Sequence, residues 1–241
     1  LSLSLRKTIK EADYIWCMNS EVPEVLGLNG HSKYSIYPSV ASEDFSKGEI
    51  NLVSNFNVIS VGRFVPLKGF DLAISAFAKF LDKICVSRKY YCKLTLVGSG
   101  EEKPMIERLI TEHHLENNVE IIDWIDRNSL MEKYRESSVF LFPSHEGAGM
   151  VVPEALSFGL PVVTLDNIGP GEFVNSDCGF KIQHAKYKET VTELSHALLK
   201  LFLNKDEMKE KSLAARKLYE EKFSWDKRGE YLDQIYQKFE A

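Results

Sequence analysis

From Asn57 to Gln183 short apolar runs alternate with longer amphipathic ones. "NVISVGRF" is rich in β-branched residues and predicts a strand. In "GFDLAISAFAKFLDKI" the residues Phe70, Ala73, Ile74, Phe77, Ala78 and Leu81 follow the i, i+3, i+4, i+7 spacing of a helix. The same alternation continues with "CKLTLVG" and "VEIID" as strands and "EEKPMIERLITEHHL" and "SLMEKYRES" as helices. Then come "VFLFP" as strand, "VVPEALSFG" as helix, and "PVVTLD" and "GFKIQ" as strands. Near-continuous apolar strands suit a parallel sheet covered on both faces. The pattern predicts a doubly wound α/β fold, with a ligand beyond the carboxyl ends of the strands. From Glu189 only helical patterns remain. Near the start, "EADYIWCMN" and "HSKYSIYPSV" are strand candidates, but two strands do not make a domain.

Composition narrows the classes. The chain has 241 residues, 44% of them hydrophobic, enough for a buried core of one large or two small domains. A formal charge of −5 argues against nucleic acid as a partner. Cys17, Cys85, Cys92 and Cys178 are scattered without a CxxC pair, which argues against a disulfide framework and fits a reducing cytoplasm. No apolar run reaches the ~18 residues of a membrane span, and the first residues lack the order of a secretory signal.

Three loops after strands could do chemistry. In "VGRFVPLKG", Arg63 and Lys68 flank a proline turn before a helix, a suitable place for a phosphate or diphosphate. Two surface cations are the simpler alternative. In "VGSGEEKP", Gly98 and Gly100 are followed by Glu101 and Glu102, which would repel a pyrophosphate, so a dinucleotide loop is rejected. A tight turn is the ordinary reading of these glycines, and close approach of a small ligand to the backbone is the other. The third loop, "FLFPSHEGAGMVVPEALSFGLP", carries Glu146 and Glu154 on either side of Gly147 and Gly149. Each acid alone has an ordinary reading: a solvated loop charge for Glu146, a complement to the helix dipole for Glu154. Together with the cations and free backbone N–H groups they describe a nucleotide-sugar site, because carboxylates bind vicinal hydroxyls and the glycine loop suits a diphosphate.

"RFVPLKGFDLAISAF", "LTLVGSGEE" and "FLFPSHEGAGMVVPEALSFGLPVV", in this order, resemble the retaining glycosyltransferases of family 4, which have the GT-B fold of two Rossmann-like domains. The resemblance runs over about residues 11 to 241 and centres on E-x7-E, Glu146 to Glu154, with Arg63 and Lys68 upstream. It implies a hexosyltransferase that uses a UDP- or GDP-linked sugar. Glu146 would contact the donor sugar, Glu154 the ribose, and Arg63 and Lys68 the diphosphate. Glu146, Arg63 and Lys68 are thereby the catalytic candidates. Donor contacts would come also from Gly62, Gly98 and the loop Gly147, Ala148, Gly149, Met150 and Val151. The base would lie near "DWIDRNSL", at Trp124, Ile125 and Leu130. No cofactor or metal is implied; "DWID" spaces Asp123 and Asp126 too widely for an Asp-x-Asp element.

By the same resemblance this chain is the donor-binding, C-terminal half. Residues 1–40 would be a remnant of the acceptor domain and linker, with Pro38-Ser39-Val40 where relatives carry Pro-Asn-Gly. Residues 41–223 would form the Rossmann-like nucleotide-sugar domain, and 224–241 a helix crossing back to the other half. Acceptors in the family are glycans or lipid-linked sugars of cell-surface polysaccharide, lipopolysaccharide and glycolipid assembly, made in the cytoplasm or at the inner membrane face. The chain alone is expected to be inactive, and Trp16, Trp225 and Tyr231 are expected to present bare apolar surface that drives self-association. Two other readings stand beside this one. A non-catalytic nucleotide-sugar-binding module has the same site, and a glycosidase would use Glu146 and Glu154 at about 5 Å or 6.5–9.5 Å, without need of cations.

Overall fold

The computed structural model describes residues 2–28, 33–37, 41–47, 55–84, 91–146 and 149–239. Its centre is a six-stranded sheet of β3 (Phe56–Val61), β4 (Cys92–Val97), β5 (Val119–Ile122), β6 (Val139–Phe142), β7 (Val162–Leu165) and β8 (Gly179–Ile182). Every pairing is parallel, in the order β5-β4-β3-β6-β7-β8. Counted along the chain from β3, this is the 3-2-1-4-5-6 order of the doubly wound fold. The order reverses between β3 and β6, the switch point beyond whose carboxyl ends ligands bind in folds of this kind.

Alternation along the strands sends side chains to two cores. Val58, Val139, Leu141 and Val163 join one face with α3 (Phe70–Leu81), α4 (Lys103–Glu112) and α8 (Tyr187–Leu203). Ile59, Phe140, Phe142 and Val162 join the other with α5 (Arg127–Arg135), α6 (Val151–Ser157) and α9 (Lys205–Lys222). The apolar runs are thus fully buried strands, as "VFLF" and "VVTL" show at every position. Short pieces that periodicity did not signal are a 3-10 turn at Pro66–Lys68 and α7 (Pro170–Phe173).

The N-terminal residues add α1 (Leu3–Glu11), β1 (Ile15–Cys17), α2 (Glu21–Leu26) and β2 (Tyr34–Ile36); β1 and β2 pair in parallel. Both helices were missed by the strand-only reading of this stretch. α10 (Trp225–Tyr236) rests against the strand pair. Tyr231 stacks on Tyr37 at 3.9 Å and meets Trp16 edge-on at 5.7 Å, and the Arg228 guanidinium lies 4.7 Å from the Trp16 ring. The expectation of bare apolar surface is therefore corrected for Trp16 and Tyr231, which cover each other. Trp225 remains 55% exposed.

The segment 41–47 is strapped to α9. Arg216 donates to both oxygens of Asp44, at 2.7 and 2.6 Å, and to the Ser157 carbonyl at 2.7 Å. The guanidinium bonds hold the Asp44 carboxyl down at about 2. Pro38-Ser39-Val40 lie outside the described residues. Among the described residues no helix is long and apolar enough to cross a membrane.

Candidate functional site

The loop after β3 and the loop after β6 meet at the switch point and are stitched through backbone. His145 N–H donates to the Leu67 carbonyl at 2.7 Å, and the Ser144 hydroxyl to the same oxygen at 3.2 Å. Gly69, at φ 67°, lets the N-terminus of α3 approach β6: a Cβ there would stand 2.3 Å from the Pro143 carbonyl oxygen. Asn167, after β7, donates to the Ser144 carbonyl at 2.7 Å and backs the loop from the far side.

This stitching brings Lys68 and Glu146 together as a hydrogen-bonded ion pair, with side chains only 12% and 19% exposed. Lys68 Nζ also lies 5.3 Å from the Phe142 ring centroid. Glu146 Oε1 is buried with no hydrogen-bond partner among the described residues. Gly149 is buried beside it, at φ 118°; a Cβ there would sit 3.4 Å from Glu146 Oε1. Gly62 lies along the Lys68 side chain, where a Cβ would be 3.4 Å from Cδ. Arg63 does not join the pair: it is exposed and makes no ion pair among the described residues. Gly147 and Ala148 lie outside the described residues.

Glu154 falls in the first turn of α6 and is 6% exposed. Its two oxygens are held from α5: Arg127 Nη1 lies 3.0 Å from Oε1, and the fully buried Tyr134 hydroxyl donates to Oε2 at 3.4 Å. Arg127 and Tyr134 are seven residues apart and so share one helix face. Burial pushes the Glu154 carboxyl up, and the Arg127 charge with the two hydrogen bonds pulls it back. Burial, then the neighbouring Glu154, also raises the Tyr134 phenol. Glu146 is not the solvated loop charge that it alone suggested, whereas Glu154 does stand in the first turn of α6, as a complement to the helix dipole would, but buried. Arg127 and Tyr134 were not singled out in the sequence, although both lie in or just beyond the "DWIDRNSL" stretch.

The remaining predicted residues differ in burial. Trp124 is 81% exposed, while Ile125 and Leu130 are half-buried against the second core. Met150 is exposed at the N-cap of α6, and Val151 opens the helix, half-buried. Gly98 has a packing reason independent of any ligand, since a Cβ would lie 1.8 Å from the Gly62 carbonyl oxygen. Asp126 caps α5, and Asp123 pairs with Lys103 at 2.6 Å. His145 meets His184 edge-on at 4.9 Å, and burial, then His184, lowers the His145 imidazole. A cavity of about 360 Å³ opens at the opposite, amino-terminal end of the strands, lined by Phe56, Ser138, Leu160, Phe202 and Lys209. None of the residues above touches it. The buried Lys68–Glu146 pair and Glu154 lie instead after the carboxyl ends of β3 and β6.

A doubly wound sheet that gathers a mostly buried ion pair and a buried carboxylate at its switch point has the arrangement of an α/β ligand-binding domain. The family model for glycosyl transferases group 1 matches residues 42–218, and the chain belongs to that family. The chain is 33% identical over 127 residues to an uncharacterized glycosyltransferase of Haemophilus influenzae, covering 52% of this chain and 33% of that protein. It is 30% identical over 151 residues to the amylovoran biosynthesis glycosyltransferase AmsD of Erwinia amylovora, covering 62% and 40%. The fold matches the pneumococcal O-GlcNAc transferase GtfA, crystallised with UDP and GlcNAc, with a TM-score of 0.76 at 17% identity, over 99% of this chain and 48% of that one. The architecture is that of one Rossmann-like half of a GT-B glycosyltransferase. The chain spans 33% and 40% of the two curated relatives' own lengths.

Proposed function

We propose that this chain binds the donor of a retaining family 4 hexosyltransferase, a UDP- or GDP-linked hexose. The observation that carries the reading is the Glu154 carboxylate, buried within the first turn of α6 next to the loop where Lys68 meets Glu146. A buried carboxylate is costly unless it is bonded, and an ionised one retains acceptor sites beyond its two protein partners. Vicinal ribose hydroxyls fit those sites. Lys68, Arg63 and the N-terminus of α6 suit the diphosphate, Glu146 the hexose, and Trp124, Ile125 and Leu130 the base. When the sugar leaves, negative charge develops on the nucleoside diphosphate, and fixed cations with backbone N–H groups stabilise it. That the pneumococcal protein was crystallised with UDP, and that AmsD is named for amylovoran biosynthesis, supports a nucleotide-sugar donor and a polysaccharide or lipopolysaccharide setting. We place the glycan or lipid-linked acceptor on the part of the relatives that this chain does not cover, and the reaction in the cytoplasm or at the inner membrane face.

A thermal-shift screen of UDP, GDP, ADP and their sugars tests the reading. One nucleoside diphosphate and its sugar conjugate are expected to raise Tm, and the free nucleoside to do so far less. Absence of a shift with every one of them would overturn the proposal.

The division of labour between the glutamates has its own test. Glu154→Gln is expected to lower affinity for UDP or GDP, whereas Glu146→Gln spares the nucleotide and weakens only the sugar-bearing donor. Glutamine keeps one acceptor oxygen and loses the charge, so each loss is about tenfold. If both variants lose nucleotide alike in calorimetric titrations, the two roles are not divided in this way.

A further inference from the structure

We propose that Arg127 is a positioning residue for nucleotide binding, acting through Glu154 by holding its carboxylate ionised and turned toward the ribose. The inference rests on the ribose role assigned to Glu154 above. Arg127 is the first residue of α5, after the cap made by Asp126, so its backbone is anchored although its side chain is 55% exposed. Its guanidinium lies 4.8 Å from the Phe45 ring centroid, and Nη1 reaches Glu154 Oε1 at 3.0 Å. Phe45 is itself fixed, because Arg135 donates to its carbonyl at 3.2 Å. The guanidinium is therefore held between an aromatic ring and a carboxylate.

Glu154 has few other sources of charge. Tyr134, from the same helix face, can neutralise nothing. Arg216, on the helix packed against α6, is committed to Asp44, Glu220 and the Ser157 carbonyl. Lys211, on that helix too, donates to the Ser176 carbonyl at 2.7 Å. Neither β7 nor α6 offers another ionisable side chain toward Glu154. Burial favours the neutral acid, and Arg127 is the first of the groups that oppose it. A protonated Glu154 would lose part of its acceptor capacity for two vicinal hydroxyls.

The sign follows. Without Arg127 the carboxyl titrates higher, so nucleotide affinity is lost as pH falls through a higher value than in the wild type. The test is calorimetric titration of the full chain with UDP and GDP, and with uridine and guanosine, across the neutral range. Arg127→Gln is expected to bind about tenfold more weakly at the acid end of the range and to approach the wild type as pH rises. Arg127→Lys should restore most of the wild-type profile, and Glu154→Gln should be weak and nearly independent of pH. Nucleoside and diphosphate should lose affinity together, because the effect passes through the ribose.

An Arg127→Gln profile that superimposes on the wild type would overturn the inference. So would tighter binding at every pH, which would make Arg127 a competitor of the ribose, or a loss confined to the diphosphates, which would place Arg127 on the phosphate. The underlying reading fails in a different way: the wild type binds neither nucleotide, or Glu154→Gln binds as tightly as the wild type.

Discussion

Replacing Lys68 with alanine is expected to weaken binding of UDP or GDP by about ten- to a hundred-fold, while uridine or guanosine binds nearly as before. Lys68 closes the 3-10 turn in the loop after β3, and its ammonium pairs with Glu146 and lies 5.3 Å from the Phe142 ring centroid. Its side chain is 12% exposed, so its field is screened far less than that of a surface lysine. A charge-assisted hydrogen bond is worth roughly 1.5–3 kcal/mol, which sets the expected range. The substitution acts twice. It removes the cation proposed to meet the diphosphate, and it leaves Glu146 as a mostly buried carboxylate without its counter-ion. The sugar-bearing donor should therefore lose more than the bare nucleotide. Arg63→Ala should act in the same direction through the diphosphate alone, since Arg63 is exposed and unpaired with Glu146. Equal losses for nucleoside and diphosphate would show that Lys68 serves only the architecture of the loop.

The four inner strands were legible because a strand buried on both faces must be apolar at consecutive positions, and "VISV", "LTLV", "VFLF" and "VVTL" are nearly so. The part-exposed edge strands "VEII" and "GFKI" were carried by their place in the alternation. The helices were legible from one-sided spacing, as in Phe70, Ala73, Ile74 and Phe77, all of which are buried. α1 was missed for the opposite reason. It buries no residue, so its short Leu5 and Ile9 spacing is tied to no core that would make it stand out. At the site, residue types pointed to Lys68, Glu146 and Glu154, but contacts across sequence did not. That Lys68 meets Glu146 rather than Arg63 depends on the close approach of Gly69 to Pro143. That Arg127 and Tyr134 hold Glu154 depends on how α5 lies against α6. A seven-residue spacing marks a helix face, yet nothing local says which carboxylate the face will meet. The weak signal was an arginine directly after a helix cap, in the stretch expected to receive the base.

Gly98→Ala is expected to destabilise the chain by about 3 kcal/mol or more, lowering Tm by roughly 6–12 °C, and to weaken nucleotide binding as well. Gly98 directly follows β4 at φ 150°, where side chains are rarely accommodated, and the added methyl would stand 1.8 Å from the Gly62 carbonyl oxygen. That oxygen belongs to backbone and cannot rotate aside as a flexible side chain would. The two loops are also tied by hydrogen bonds on either side: Gly62 N–H to the Val97 carbonyl at 3.0 Å, Phe64 N–H to Ser99 at 2.8 Å, and Glu102 N–H to Phe64 at 3.0 Å. Relief of the clash must therefore stretch this ladder or push the β3 loop outward. The second movement displaces Gly62, and the Lys68 side chain lies along Gly62. Geometry lost there propagates to the Lys68–Glu146 pair without any change in its chemistry. Thermal melts and nucleotide titrations on the same variant separate the two effects, because a purely global loss of stability leaves affinity intact well below the new Tm. An alanine variant as stable as the wild type would mean that the β3 and β4 loops are not packed against each other as tightly as these distances require.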